Sequence, residues 1–257
     1  MTAKLDKARS LYLEGILDGN AREAVTRYTG ERYTQHSTGV PDGVEGFVSF
    51  FEDFLERNPE RDIRLLRGLE DGDHVFLHAH QVLGGGDTQW VTMDFFDTDA
   101  DDRIVEHWDV IAAYAPVTPS GHSSVDGPTA IIDLASTAEN KALVRALIED
   151  TLMPGGDPGR VADYVAESYV QHNAEMADGR AAFEQEITDP DRALWYQDIV
   201  LLVGQGNFVA TLCRVTWNGA EYAQADLFRV ADGLVAEHWD TAEPVPPADE
   251  LVNSGKF

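Results

Sequence analysis

Hydrophobic positions switch from a helical period to alternation twice along the chain. Leu5, Ala8, Tyr12 and Ile16 recur at the spacing of one helical face, and Val144, Leu147, Ile148 and Thr151 do so again past the midpoint. A shorter helical pattern comes after each: Ala24, Val25 and Tyr28 in the first case, Val161 and Val165 in the second. The second of these starts at Asp157-Pro158, an N-cap with proline in the first turn. A third helix carries Phe47, Phe50, Phe51 and Phe54. Alternation then predicts strands over 73–82, 89–97 and 103–111, and again over 207–217, 221–230 and 234–242. Gly84-Gly85-Gly86, Asn218-Gly219 and Asp232-Gly233 supply tight turns between them, as antiparallel meanders require. Helices followed by strands predict an α+β fold, a curved antiparallel sheet against helices with a pocket between the layers.

The order occurs twice because the sequence does. Tyr33-Thr34-Gln35-His36 returns as Tyr169-Val170-Gln171-His172, and Asp42-Gly43 as Asp178-Gly179. Ile104-Val105-Glu106-His107-Trp108-Asp109 returns as Val235-Ala236-Glu237-His238-Trp239-Asp240. Units of this length exceed a solenoid repeat and indicate domain duplication. The expected division is a first domain over 1–115, a linker over 116–135 and a second domain over 136–257. The linker lies in the aperiodic, turn-forming run 115–128, and Ser136-Thr137-Ala138-Glu139 reads as a capping box opening the next helix.

Residues two apart on a strand share a face, so parity sorts the candidate chemistry. His78 and His80 share one, as do Trp90, Thr92 and Asp94, and His107 and Asp109. In the second copy the positions hold Leu212 and Arg214, then Tyr222, Gln224 and Asp226, then His238 and Asp240. The other parity, with Val75, Leu77, Val91, Met93 and Phe95, suits packing against a second sheet such as the sister domain. Trp90 and Tyr222 favour a pocket over plain solvent on the polar side. His107 and Asp109 on one face can exchange protons with a substrate, with Asp94 keeping one group protonated by repulsion. The same pair can instead lock the sheet. His36, between Gln35 and Pro41-Asp42-Gly43, either orients a substrate oxygen or caps a turn. His78, His80, His107 and His36 with Asp94 or Asp109 are a further alternative, an imidazole–carboxylate metal site, although nothing aims them at one atom. Asp97, Asp99 and Asp101 lack the glycine and glutamate of a calcium loop and read as an acidic turn. Gly84-Gly85-Gly86 lacks the lysine of a phosphate loop. Cys213, the single cysteine, reads as packed and excludes a disulfide framework.

Charge narrows the partners. The 257 residues carry 19 Lys and Arg against 46 Asp and Glu, a net charge of −27, and only Lys4, Lys7, Lys141 and Lys256 are lysines. Such a surface repels nucleic-acid backbones and anionic lipid, and suits a salty cytoplasm. No apolar run reaches the ~18 residues of a membrane span, and the opening residues form a charged amphipathic pattern instead of a signal peptide. The expectation is a soluble cytoplasmic protein.

Taken together, Tyr-x-Gln-His, Pro-Asp-Gly and Glu-His-Trp-Asp resemble the SnoaL-like branch of the NTF2-like superfamily. The likeness rests on Tyr33–His36, Pro41–Gly43, Asp94 and Glu106–Asp109, and in the second copy on Tyr169–His172, Asp178-Gly179, Asp226–Arg229 and Glu237–Asp240. It implies two cone-shaped domains, each with helices on a curved sheet enclosing a ligand cavity, arranged as an internal pseudo-dimer, with further homo-oligomers open. It also implies cofactor-independent acid/base chemistry of the aldol cyclase, isomerase or lyase kind on a small carbonyl-type or cyclic metabolite. No resident metal, nucleic acid or membrane is expected. Asp109 and Asp240 would move the proton, with His107 and His238 beside them and His36 polarising the oxygen. Tyr33, Gln35, His78, His80, Trp90, Asp94, His172, Arg214, Tyr222 and Asp226 would contact the ligand. Related epoxide hydrolases activate water with an Asp–Arg–Asp set, which Arg214, Asp226 and Asp240 could imitate. A binding protein without chemistry is the other alternative.

Overall fold

The computed structural model describes residues 3–257 and divides the chain into two units. The first comprises Met1–Ala113 and Val245–Phe257, the second Tyr114–Pro244. This corrects the boundaries expected from the sequence. Residues 245–257 join the first unit, where Asn253 donates to the carbonyls of Ser37 and Val40. The expected linker joins the second, where Ser120 donates to the Gln171 carbonyl and Trp239 to that of Asp126. Both are ordered straps, held by hydrogen bonds to parts of the chain distant in sequence.

In the first unit α1 (Ala3–Ser10) runs on into a π-helical turn (Leu11–Leu17), followed by α2 (Ala21–Tyr28), β1 (Thr29–Gln35), α3 (Gly43–Arg57), β2 (Arg61–Asp71), β3 (His74–Leu83), β4 (Thr88–Thr98) and β5 (Ile104–Ala113). The second has α4 (Thr137–Leu147) with a π-helical turn (Ile148–Leu152), a 3₁₀ turn (Pro158–Asp163), β6 (Val165–Gln171), α5 (Arg180–Thr188), β7 (Leu194–Gln205), β8 (Phe208–Trp217), β9 (Ala220–Ala231) and β10 (Leu234–Pro244). Each unit is α+β with one five-stranded sheet, in the orders β1-β5-β4-β3-β2 and β6-β10-β9-β8-β7. The three expected strands form a meander in each unit, extended at one edge by β2 or β7, which the alternation does not predict. The fifth, β1 or β6, pairs in parallel with β5 or β10, so the sheets are mixed and not wholly antiparallel.

Local sequence explains the turns. Asn218-Gly219 and Asp232-Gly233 both have positive φ at two successive residues (51° and 80°, 52° and 75°), the geometry of two-residue hairpins. Asp157 caps its turn by accepting from the Gly159 amide at 3.0 Å. Ser136 stands at the N-cap of α4 but makes no side-chain cap bond; Thr137 instead donates to the Leu134 carbonyl and accepts from the Gly206 amide. The α3 stripe Phe47, Phe51 and Phe54 turns one apolar side toward the sheet, with Phe47 and Phe51 rings 4.3 Å apart. Among the described residues no helix is long and apolar enough to cross a membrane.

Register decides which side chains meet the helices. Leu83 pairs with Thr88, enclosing Gly84, Gly85, Gly86 and Asp87, so opposed residues of β3 and β4 have opposite parity. Asp94 therefore lies opposite Leu77 on one side and Asp109 on the other, and shares a face with both. His78 lies opposite Met93, on the reverse face.

Candidate functional site

A cavity of about 250 Å³ lies between the helices and sheet of the first unit. Its walls are mostly apolar: Leu11, Tyr12 and Ile16 of the first helix, Phe47, Phe50, Phe51 and Phe54 of α3, and Phe96, Trp90 and Ile111 of the sheet. The polar groups of the wall are Tyr33 and Gln35 on β1, Ser37 and Thr38 in the loop after it, Gln81 on β3, and His107 and Asp109 on β5. Trp90 is 37% exposed and forms the outer part of the wall.

Behind the polar groups of β1 and β5 lies a buried hydrogen-bonded chain. The Gln35 amide donates to the Tyr33 hydroxyl at 2.8 Å, and its carbonyl lies 3.0 Å from His107 Nδ1. His107 Nε2 is 3.0 Å from Asp94 Oδ1, which also accepts from the Tyr12 hydroxyl at 2.6 Å. Thr92 donates to the other Asp94 oxygen at 2.8 Å. Burial pushes the Asp94 carboxyl above the usual carboxylate range, and neighbouring Asp109 adds to the effect. Asp109 is held the other way. Burial opposes its charge, but the Lys256 ammonium, His107 and the Ser37 hydroxyl outweigh it and keep the carboxyl below its ordinary value. Ser37 donates to Asp109 at 2.7 Å and Lys256 at 3.3 Å. Of the two opposed aspartates only Asp109 lines the cavity.

The second unit repeats the chain. Gln171 Oε1 accepts from the main-chain amides of His172 and Asn173, which fixes its orientation, and lies 3.0 Å from His238 Nδ1. That nitrogen must therefore donate. His238 Nε2 is 3.0 Å from Asp226, which also accepts from Tyr196, Thr211 and Gln224. Here Gln224 spans Asp226 and Asp240 at 3.0 Å each, and Asn173 donates to Asp240 at 2.7 Å. Burial raises the Asp240 carboxyl. For His238 burial lowers the pKa, but the bond to Asp226 and the two aspartate charges raise it overall above 6.5. A raised histidine pKa stabilises the fold fully below the unfolded value, and the contribution is lost as pH rises through the folded value. His238→Gln should therefore cost more stability at about pH 6 than at about pH 9, measured by urea unfolding at both.

The repeated motifs mostly hold β1 against β5. His36 stacks on Trp108 with rings 4.8 Å apart and 2° from parallel, its Nε2 is 2.9 Å from Glu106, and its Nδ1 meets the Gly255 carbonyl. His172 does the same on Trp239, with Glu237 and the Ser123 carbonyl. Trp108 and Trp239 face away from the aspartates, since they pair with Phe95 and Leu227 across the sheet. The expected catalytic role of His36 and ligand role of His172 are thus replaced by docking of one motif on the other. Asp42 and Asp178 explain the Asp-Gly repeat: each accepts from the main-chain amide of the motif glutamine, Gln35 or Gln171, at 2.7 Å.

Parity misplaced three further residues. His78 and His80 are buried on the reverse face, where Arg67 donates to His78 Nδ1 at 3.1 Å and His80 Nε2 meets Gln89 at 2.9 Å. Burial lowers the His80 pKa. The four histidines of the metal alternative therefore do not converge. Asp94, His107 and Asp109 do approach within 4.8 Å, as do Asp226, His238 and Asp240, but the hydrogen bonds above already engage these atoms. Arg214 points to the reverse face, half exposed and 3.3 Å from Glu221, so the Asp–Arg–Asp arrangement is not assembled. Tyr222 shares the face of Asp226 and packs on Trp217. Cys213 is in the core, and burial pushes its thiol up. Sequence reasoning missed Tyr12, Ser37 and Lys256. Tyr12 sat in the helical stripe with no mark distinguishing it, and Lys256 in an aperiodic segment.

The first unit is an α+β domain whose mixed sheet and helices enclose an apolar cavity with one carboxylate in its wall. Residues 10–107 match the SnoaL-like domain family, and the second unit repeats the strand order of the first. Solved structures of similar fold include a Bacillus cereus ATCC 10987 protein provisionally described as a polyketide cyclase (20% identity, 42% of this chain and 73% of that one, TM-score 0.38). Others are a Kribbella flavida DSM 17836 protein provisionally described as a ketosteroid isomerase (22%, 46% and 90%, 0.36) and an NTF2-like protein of unknown function from Mesorhizobium loti (18%, 42% and 93%, 0.37). No curated protein matches the chain.

Proposed function

We propose that the first unit is a cofactor-independent general acid/base catalyst of the cyclase, isomerase or lyase kind, acting on a small, largely apolar carbonyl compound, with Asp109 as proton acceptor. The observation that carries this reading is the buried Asp109 carboxylate in an otherwise apolar cavity wall, stabilised as the anion by Lys256 and Ser37. A desolvated carboxylate beside an apolar ligand is suited to remove a proton from carbon next to a carbonyl. The C–H bond breaks, its proton passes to Asp109, and the electron pair moves onto the carbonyl oxygen as an enolate. Tyr33 is placed to receive that charge: its hydroxyl accepts from Gln35, leaving its own hydrogen for an oxygen in the cavity. Burial raises the Tyr33 pKa, so the phenol stays a donor. Both ring nitrogens of His107 are engaged by Gln35 and Asp94, so His107 positions the wall and Asp109 handles the proton.

The test is exchange of α-hydrogens for deuterium in a panel of small cyclic and bicyclic ketones, followed by proton NMR. Exchange above the buffer rate that disappears in Asp109→Asn supports the reading. Exchange at the buffer rate throughout, or undiminished exchange in the variant, defeats it. Tyr33→Phe should slow exchange by about 10²-fold, the size of one lost oxyanion donor, with little change in half-saturation.

A further inference from the structure

The strap Val245–Phe257 reaches the site through several independent contacts. Asn253 donates to the Ser37 and Val40 carbonyls, Ser254 donates to Asp42, and the Gly255 carbonyl meets His36. These fix the backbone on both sides of the loop that carries Ser37. The next residue, Lys256, is buried, with its ammonium 3.3 Å from Asp109 and 3.5 Å from the Thr38 hydroxyl. We propose that Lys256 is a positioning residue of the first unit's site, delivered by this strap to hold Asp109 ionised. The proposal rests on the reading of Asp109 as base.

Geometry gives the reason. Lys256 does not line the cavity, so it acts through Asp109 and not on the ligand directly. When the substrate C–H bond breaks and its proton reaches Asp109, the negative charge moves to the substrate oxygen and the total charge of the site is unchanged. The ammonium is held at Asp109, so it favours the ionised base from which the transfer starts. The titratable groups facing Asp109 are Asp94 on β4, His107 on β5, Tyr33 on β1, Tyr12 on the first helix and Lys256 on the strap. Asp94 opposes ionisation of Asp109, and both tyrosines, raised by burial, are neutral at ordinary pH. Lys256 supplies the amine of the group, 3.3 Å from Asp109.

The site is also marked by its sister. In the second unit the strap over 114–136 presents the Ser123 carbonyl to His172, as Gly255 does to His36. The residue after that carbonyl is Ser124, which accepts from the Ala115 amide. The straps share their anchor and differ at the next residue, a lysine in one and a serine in the other.

The experiment is a carbon-13 NMR titration of aspartate side-chain carboxyls in the full chain, with Asp109→Asn used to assign the Asp109 signal. In the unaltered protein Asp109 should titrate below the ordinary aspartate range. Lys256→Met should raise its midpoint by about two units, a change of about 100-fold in proton affinity, and Lys256→Arg should restore most of it. Asn253→Ala, which loosens the strap and leaves the cation in the chain, should raise the midpoint less. An unmoved midpoint in Lys256→Met with a native amide spectrum overturns the proposal. Should Lys256→Met fail to fold, the decision passes to Lys256→Arg and Asn253→Ala: equal, wild-type midpoints in both overturn it. The acid limb of ketone exchange should move with the midpoint. A moved midpoint in a protein with no Asp109-dependent exchange would keep the positioning role and remove only the acid/base reading.

Discussion

Asp109→Asn should lower the rate of ketone α-hydrogen exchange by about 10³-fold, whereas Asp240→Asn should leave it within about twofold. The two aspartates occupy the same place in the repeat and the same position opposite a buried partner, Asp94 or Asp226. Their environments differ. Asp109 meets a hydroxyl and an ammonium, and its charge is held. Asp240 meets two neutral amides, Asn173 and Gln224, and burial raises its pKa. Gln224 stands where the first unit has Thr92, and by bridging both aspartates it ties Asp240 into the structure. A base must present a free lone pair and remain charged at working pH, and only Asp109 combines ionisation with a place in the cavity wall. Equal losses from the two substitutions would show that both copies contribute, and would remove the argument from environment.

The repeat, the helix-then-strand order and the Asp94–Asp109 pair were all legible in the sequence. Periodicity and self-similarity are local signals, and they reported local facts well. The errors lie where a non-local fact intervenes. Grouping His78 and His80 with Asp94 leaves the turn between their strands out of account: the four-residue loop between Leu83 and Thr88 puts the odd-numbered residues of β3 on the face of Asp94. β2 carries Arg61, Arg64 and Arg67 and breaks register between Leu65 and Arg67, so it does not alternate cleanly. β1 is a short strand with two exposed residues at its centre and reads as a loop. The straps were invisible for a different reason. Their order comes from hydrogen bonds to loops and strands far off in sequence, and 115–128 and 245–257 have the composition of linkers. The motifs that carried the family resemblance are chiefly a docking device between β1 and β5; the chemistry falls on the single aspartate at their end.

Asp226→Ala should destabilise the second unit by about 3–5 kcal/mol, with Asp226→Asn less severe. One fully buried carboxylate accepts from the Tyr196 hydroxyl, the Thr211 hydroxyl and the Gln224 amide, and lies 3.0 Å from His238 Nε2. Removing it strands four polar groups in a core containing Phe228, Tyr169 and Cys213, and an unpaired buried group costs more than its hydrogen bond contributed. Asparagine keeps an acceptor oxygen but turns an amide toward at least one donor, so part of the loss remains. At about 2–4 °C per kcal/mol, thermal unfolding should shift by about 6–20 °C for alanine. His238 couples to the same carboxylate, so Asp226→Ala and His238→Gln should be non-additive in a double-mutant cycle. A melting temperature within about 2 °C of the unaltered protein would mean that water satisfies the stranded groups. The second site would then be solvent-accessible in its working state, and its reading as a structural copy of the first would have to be abandoned.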